Sequence, residues 1–163
     1  MASRIITIIL TTAIASGCAS STNNNTIEIE IARETFSLEL SIDEPSRVRG
    51  LMDRKTIEPN GGMLFVFPDA DQRSFWMANC YIDIDLIFLD SRGTITATHE
   101  MKFEPPQKKS ESQWAYESRM KHYWSNGPAR FAIELSASSI KRLHLRVNDR
   151  ITLPLRKLRN FAR

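Results

Sequence analysis

The feature that most constrains the fold is a strict two-residue alternation of apolar and polar side chains in short runs. Isoleucine alternates with glutamate over residues 27–31, and apolar residues alternate with polar ones over residues 36–40. Successive side chains of a β-strand point to opposite faces of the sheet, so each run predicts a strand with one buried and one solvated face. Because only a few residues separate the two runs, we expect them to form an antiparallel hairpin.

Further strands are predicted along the rest of the chain. Continuous apolar runs at residues 63–67 and 84–89 are typical of strands that are buried on both faces. Thr- and Ile-rich or alternating sequence indicates more strands at residues 94–101, 131–135, 143–147 and 151–153. Helix signals are confined to a start at residues 43–46 and one turn at residues 137–142, and residues 102–119 are expected to form a long loop. The sequence therefore predicts a mainly β fold, a compact antiparallel sandwich or partly open barrel with one or two short helices.

The N-terminus has the organisation of a secretory signal. Arg4 precedes an apolar stretch that is too short for a stable membrane span, and small residues then lead to Cys18. The ending Ala15-Ser16-Gly17-Cys18 is similar to a bacterial lipobox, so we expect cleavage before Cys18 and lipidation of this residue. The alternative is an ordinary cleaved signal, with Cys18 as a spare thiol.

This interpretation divides the chain into four parts. We expect a signal peptide at residues 1–17, a flexible Ser/Asn/Thr-rich tether at 18–26, a single β-rich domain at 27–157 and a basic tail at 158–163. It also places the protein in the cell envelope, lipid-anchored and extracytoplasmic. Since Ala19 and not Asp follows the anchor, the outer membrane is favoured if the cell is Gram-negative.

The order of the longer motifs carries a family resemblance. The relevant blocks are Arg49–Arg54, Gly62–Phe67, Phe75–Asn79, Ile84–Asp90, Pro128–Leu135 and Val147–Asp149. With these blocks the chain resembles the "domain of unknown function 192" family over about residues 30–154. The resemblance implies a compact β-rich sandwich with short helices in a family whose members are often exported or membrane-attached, and it implies no established biochemical role. Ser136-Ala137-Ser138-Ser139, Asn148 and Cys80 depart from the usual family pattern.

A buried ion pair is predicted inside one of the apolar strands. Asp85 interrupts the apolar run 84–89, where a charged group needs a partner. Arg49 and Arg54 are the natural candidates for this partner. One interpretation is a structural pair that fixes a loop to the sheet. The other is an arginine-lined pocket for a carboxylate or another anion, with Asp85 holding the guanidinium in place.

Aromatic residues in a polar stretch form a second candidate site. Trp114, Tyr123 and Trp124 occur among charged residues, where exposed rings are costly. We expect them either to cap one end of the sandwich or to join Trp76 and the Arg49–Arg54 segment in a surface that binds a small ligand. The candidate ligand-binding residues are Arg49, Arg54, Trp76, Asp85, Trp114, Tyr123 and Trp124.

The sequence contains no catalytic or metal-binding signature. There is no nucleophile elbow, phosphate-binding loop or paired cysteine motif, and the three histidines lack ligand spacing. If Cys18 carries lipid, Cys80 has no disulfide partner, and its apolar neighbours predict a buried, inert thiol. Methionines near Cys80 leave copper binding open as an alternative, although most of them lie in apolar runs that are typical of core packing.

These observations favour a non-catalytic binding module over an enzyme. We expect a lipid-anchored envelope protein that binds a small ligand or an envelope protein, without a cofactor or a metal. The formal net charge of +3 is too small to predict nucleic acid as a partner. The second interpretation is a metal- or redox-linked envelope protein that uses Met, Cys and His, and the third is an unrecognised hydrolase.

Overall fold

The computed structural model describes residues 25–161, and in this part of the chain it contains six strands and four short helices. In chain order they are β1 (Thr26–Ile31), β2 (Glu34–Ser41), α1 (Glu44–Arg49), β3 (Gly61–Phe75), β4 (Ile84–Leu89), β5 (Ile95–Met101), α2 (Gln113–Ser118), β6 (Tyr123–Ser136), α3 (Ser139–Arg142) and α4 (Leu155–Phe161). The predicted mainly β fold is confirmed. The predicted signal peptide and Cys18 lie outside the described residues.

The strands form one six-stranded sheet in the order β1-β2-β3-β6-β4-β5. The predicted hairpin is present, because β1 and β2 pair antiparallel from Thr26 opposite Glu39 to Ile31 opposite Glu34. The strands β2 and β3 are parallel, which makes the sheet mixed. A parallel pair needs a long crossover connection, and α1 with the loop at residues 50–60 supplies it. This connection crosses one face of the sheet and creates the site described below.

Both faces of the sheet are covered. The inward side chains of β1 and β2 pack on one face with α3, the segment at residues 143–153 and α4, and together they form the first core. On the other face, Phe65, Phe88 and Ala132 pack with the segment that follows α1 and with residues 77–80, and together they form the second core. All six residues of β4 are buried, as its continuous apolar run predicts. The helix α4 extends past residue 157 and buries Leu158 in the first core.

The strand predicted at residues 143–147 is wrong. These residues follow α3 as turns, in which His144 and Asn148 have positive φ angles. Leu143 is buried from a turn, so its spacing from other apolar residues has no relation to a strand. Residues 151–153 form no named strand either, although Ile151 donates a backbone hydrogen bond to Gly93. The predicted loop at 102–119 contains α2, which Ser112 caps through its hydroxyl.

Within residues 25–161, no helix is both long and apolar enough to cross a membrane.

Candidate functional site

A cleft of about 500 Å³ lies between α1 and the sheet face formed by β3 and β6. The helix α1 begins with a capping box between Asp43 and Ser46, and Gly50 is its C-cap. Gly50 has φ 50° and ψ −133°, a backbone conformation that L-residues with a side chain rarely adopt. A side chain there would also approach the Phe65 ring to 3.3 Å. Glycine therefore lets the chain turn closely over the sheet and leaves the cleft open beneath the turn.

The floor of the cleft is the side chain of Glu134 on β6. This residue is 5% exposed, and its Oε2 atom has no hydrogen-bond partner among the described residues. Burial raises the pKa of Glu134 to about 8, although the Leu51 amide and the charge of Arg54 act in the opposite direction. Glu134 is therefore predominantly neutral at pH 7, and as a carboxylic acid it can donate one hydrogen bond and accept others.

Aromatic rings form part of the cleft wall. The ring of Phe75 packs edge-to-face against Phe65 at 4.9 Å and against Phe67 at 6.5 Å between centroids. Cys80 lies beside them and is 6% exposed, in agreement with the predicted buried thiol. Burial, and then the nearby charge of Glu134, raises the pKa of Cys80 to about 12, so the thiol is not a ready nucleophile.

Three arginines form the rim of the cleft, and two of them are held by the fold. Arg47 donates to the carbonyl oxygens of Ile42 and Val66, at 2.8 and 3.1 Å, and pairs with Glu44. Arg73 pairs with Asp69 and stacks over Phe67, with its guanidinium 4.4 Å from the ring centroid. The third, Arg49, is exposed and forms no ion pair within the described part of the chain.

An aromatic row extends from the rim along the surface. Trp76 is 36% exposed and lies edge-to-face with His122 at 5.3 Å, and His122 stacks on Trp124 at 6.0 Å between centroids. The structure therefore brings together Trp76 and Trp124, which the sequence analysis grouped in one surface. Ser74 Oγ is 3.4 Å from His122 Nδ1, but no carboxylate among the described residues bonds to His122 to complete a catalytic triad.

The prediction that Asp85 pairs with Arg49 or Arg54 is wrong, although Asp85 is buried as expected. The Asp85 carboxylate accepts a 2.7 Å hydrogen bond from the backbone N–H of Ile140. This partner is available because Ile84 on β4 lies opposite Ser136, the last residue of β6, and α3 follows directly. Arg54 instead forms two 2.6 Å hydrogen bonds with Glu39, a pair in which both side chains are about 40% exposed.

Two further candidates lie away from the cleft lining. Trp114 is 78% exposed on α2. Tyr123 is buried in the second core, where the Lys121 ammonium approaches its ring to 4.6 Å. Of the predicted ligand-binding residues, Arg49 and Trp76 line the cleft and Trp124 continues its aromatic rim.

Glu134, Arg73 and His122 also line the cleft and are not among the ligand-binding residues predicted from the sequence. A signal for Glu134 was present, because it is the one charged residue in the apolar run 131–135. This is the same signal that drew attention to Asp85. Arg73 and His122 had no such signal, since they become neighbours of the cleft only through the extension of β3 and its pairing with β6.

The described residues hold no group of three or more His, Cys, Asp or Glu side chains that is arranged for a metal ion. Met63, Met77 and Met101 are core residues on the face that also forms the cleft. Their thioethers fill apolar space in the second core, which is the common role of buried methionine.

Comparison with known proteins adds a family and a fold. The model of the DUF192 family, described as "Uncharacterized ACR", matches residues 22–153. A crystal structure from Sinorhizobium meliloti 1021, of a protein provisionally named a transcription regulator, has 30% sequence identity and a TM-score of 0.62, and the match covers 77% of this chain and 89% of that one. A protein of unknown function from Novosphingobium aromaticivorans DSM 12444 has 22% identity and a TM-score of 0.63, with 78% and 82% of the chains covered. No curated protein has significant similarity to the chain.

Proposed function

Because the chain belongs to the DUF192 family of uncharacterised proteins, its function has to be inferred from its own residues, and we propose that it is a lipid-anchored envelope protein that binds a small molecule in the cleft above Glu134. The anchor rests on the lipobox-like sequence that ends at Cys18. The binding function rests on the geometry of the cleft, which combines aromatic rings, charged and polar side chains and an opening to solvent.

The observation that carries the binding function is the unpartnered Oε2 atom of Glu134. A buried polar atom without a hydrogen bond costs about 1–3 kcal/mol of stability. The fold satisfies its other buried carboxylate, Asp85, with the Ile140 amide, so the chain is able to provide such partners. Glu134 differs from Asp85 because it faces a cavity. A ligand with a hydroxyl, amide or carbonyl group at the floor of the cleft would supply the missing hydrogen bond.

Binding accounts for the cleft better than hydrolysis does. The Ser74–His122 pair is exposed at the rim and lacks an orienting carboxylate within the described residues. The Cys80 thiol, with its pKa raised to about 12, is a poor nucleophile at neutral pH. The remaining polar side chains of the cleft are three arginines, the Glu44 and Asp69 carboxylates that pair with two of them, Gln72 and the neutral Glu134 carboxyl, and this set suits recognition of a ligand.

A fragment screen by NMR tests this proposal. Amide spectra of the ¹⁵N-labelled mature domain are recorded with a library of small polar fragments, for the wild type, Glu134→Met and the matched surface variant Glu28→Met, whose glutamate is exposed on β1. We expect hits that shift the amides of Gly50, Leu51 and Trp76 in the wild type and in Glu28→Met, and that weaken in Glu134→Met. Fragments that shift amides scattered over the surface, or that bind Glu134→Met as well as the wild type, would contradict the proposal.

A further inference from the structure

The charges that line the cleft leave one positive charge without a partner. Glu44 neutralises Arg47 and Asp69 neutralises Arg73, each through a direct ion pair within the rim. Arg49 has no such acidic partner in the described part of the chain. Since Glu134 is predominantly neutral at pH 7, the formal charge of the lining is that of one exposed arginine. A ligand with one negative charge therefore balances the site.

The positions of the polar groups divide the cleft into two ends. Arg49 is exposed on α1, whereas Glu134 is buried on the sheet beneath it. The Phe65 and Phe75 rings line the same cleft as these two groups, and so does Trp76, which is 36% exposed. Arg73, whose Nε–H lacks an acceptor among the described residues, also lines the cleft. The arrangement suits a flat apolar body that carries a charged group at its outer end and an uncharged polar group at its inner end.

We propose, on the basis of the binding function above, that the ligand is a small monoanionic organic acid whose carboxylate lies at Arg49 and whose hydroxyl or carbonyl group reaches Glu134. The guanidinium of Arg49 presents a fork of N–H donors that matches a carboxylate. At the inner end, the Glu134 carboxyl donates to a carbonyl or exchanges hydrogen bonds with a hydroxyl, which gives its unpartnered Oε2 atom a partner. The aromatic walls contact the body of the ligand.

Other ligand charges fit less well. A cationic amine would gain an ion pair at the floor only after Glu134 loses its proton, and it would have to pass Arg49 at the rim. A dianion would bring one charge that the lining does not balance. An uncharged molecule would satisfy Glu134 but would leave Arg49 without a partner. Selection among these classes is a difference in affinity that a matched set of probes can measure.

The test uses four probes of nearly equal size on the mature domain at pH 7. They are 4-hydroxyphenylacetate (one negative charge and a distal hydroxyl), phenylacetate (the charge alone), 4-hydroxyphenylacetamide (the hydroxyl alone) and tyramine (a positive charge and the hydroxyl). Affinities are measured by NMR titration of the cleft amides. The variants are Arg49→Gln and Glu134→Met, with Arg92→Gln as the matched control, because Arg92 is an exposed arginine at the β4–β5 turn.

We expect 4-hydroxyphenylacetate to bind about tenfold more tightly than its amide, which is the effect of one charge-assisted hydrogen bond. Arg49→Gln removes this preference and Arg92→Gln retains it. Glu134→Met removes the preference for 4-hydroxyphenylacetate over phenylacetate. Equal affinities for the acid and the amide at the cleft, or tightest binding of tyramine, would overturn the acid class and leave the binding function intact. Failure of both acids to bind at millimolar concentration would overturn the acid class too. The binding function itself fails only if the fragment screen also finds no ligand at the cleft.

Discussion

Replacement of Glu134 by methionine is expected to stabilise the protein at alkaline pH. Methionine has a similar length and removes the buried, unpartnered oxygen without leaving a large cavity, but it also strands the Leu51 amide, at a cost of about 1–3 kcal/mol. Most substitutions in a core are destabilising, and a substitution that stabilises a core while it abolishes ligand binding identifies a residue that is kept for function. This opposite effect on stability and binding follows directly from the geometry of the cleft floor.

The size of the effect depends on pH. The pKa of Glu134 is raised from 4.5 to about 8 in the folded chain. Below pH 4.5 the carboxyl is protonated in both the folded and the unfolded chain. As the pH rises towards 8, the unfolded chain loses this proton while the folded chain retains it, so the stability of the wild type falls. The loss amounts to roughly 3 kcal/mol at pH 7 and about 5 kcal/mol above pH 8.

Urea denaturation at pH 5, 7 and 8.5 measures this effect as the difference in unfolding free energy between Glu134→Met and the wild type. The difference cancels the contributions of the other carboxyls, such as Asp83 and Asp90, whose pKa values are lowered by their hydrogen bonds and ion pairs. We expect Glu134→Met to be no more stable than the wild type at pH 5, where the lost Leu51 hydrogen bond dominates, and its stability relative to the wild type to rise by about 3–5 kcal/mol up to pH 8.5. A difference that is independent of pH, or a variant that is less stable than the wild type at pH 8.5, would refute the reasoning.

Four further predictions follow from particular residues. Asp85→Ala is expected to cost about 1–3 kcal/mol in urea denaturation, because it strands the Ile140 amide; an unchanged midpoint would contradict this. Arg54→Gln is expected to cost at most about 1 kcal/mol, since both partners are partly exposed, and a larger loss would show that the Glu39 pair matters more than its exposure suggests. Gly50→Ala is expected to cost about 1–3 kcal/mol in the same assay because of its positive φ angle, whereas a neutral effect would mean that the turn relaxes. Cys18→Ser is expected to release the protein from membranes in detergent partitioning, and retention there would rule out the lipid anchor.

The sequence predicts correctly those elements in which the apolar residues of one short segment already show which side chains are buried. The hairpin β1–β2 follows from its alternation, and β4 follows from its continuous apolar run. The parallel pairing of β2 with β3 depends on the path of residues 42–60 across the sheet, for which no local pattern exists. The strand predicted at 143–147 is wrong because the apolar residues alternate in the sequence as in a strand, whereas turns place Leu143 in the core.

The two buried carboxylates show what sequence can say about the site. Asp85 and Glu134 each interrupt an apolar strand, so burial of both is readable from the sequence. The sequence does not indicate which group forms a hydrogen bond with each carboxyl. The partner of Asp85 is a backbone amide that depends on where α3 begins, and Glu134 faces a cleft that depends on the turn at Gly50. Arginine was the expected partner of Asp85 because a sequence identifies charged side chains but does not indicate which backbone N–H groups lie close to them.

A crystallographic fragment screen tests the central claim most directly, because it shows whether the cleft takes a ligand and what contacts Glu134. Crystals of the mature domain are soaked with small polar fragments, including the four probes named above. We predict electron density for a fragment in the cleft, with an oxygen or nitrogen atom within hydrogen-bonding distance of the Glu134 carboxyl and, for the acids, the carboxylate at Arg49. Fragments that bind elsewhere on the protein while the cleft of every soaked crystal holds only solvent would contradict the claim.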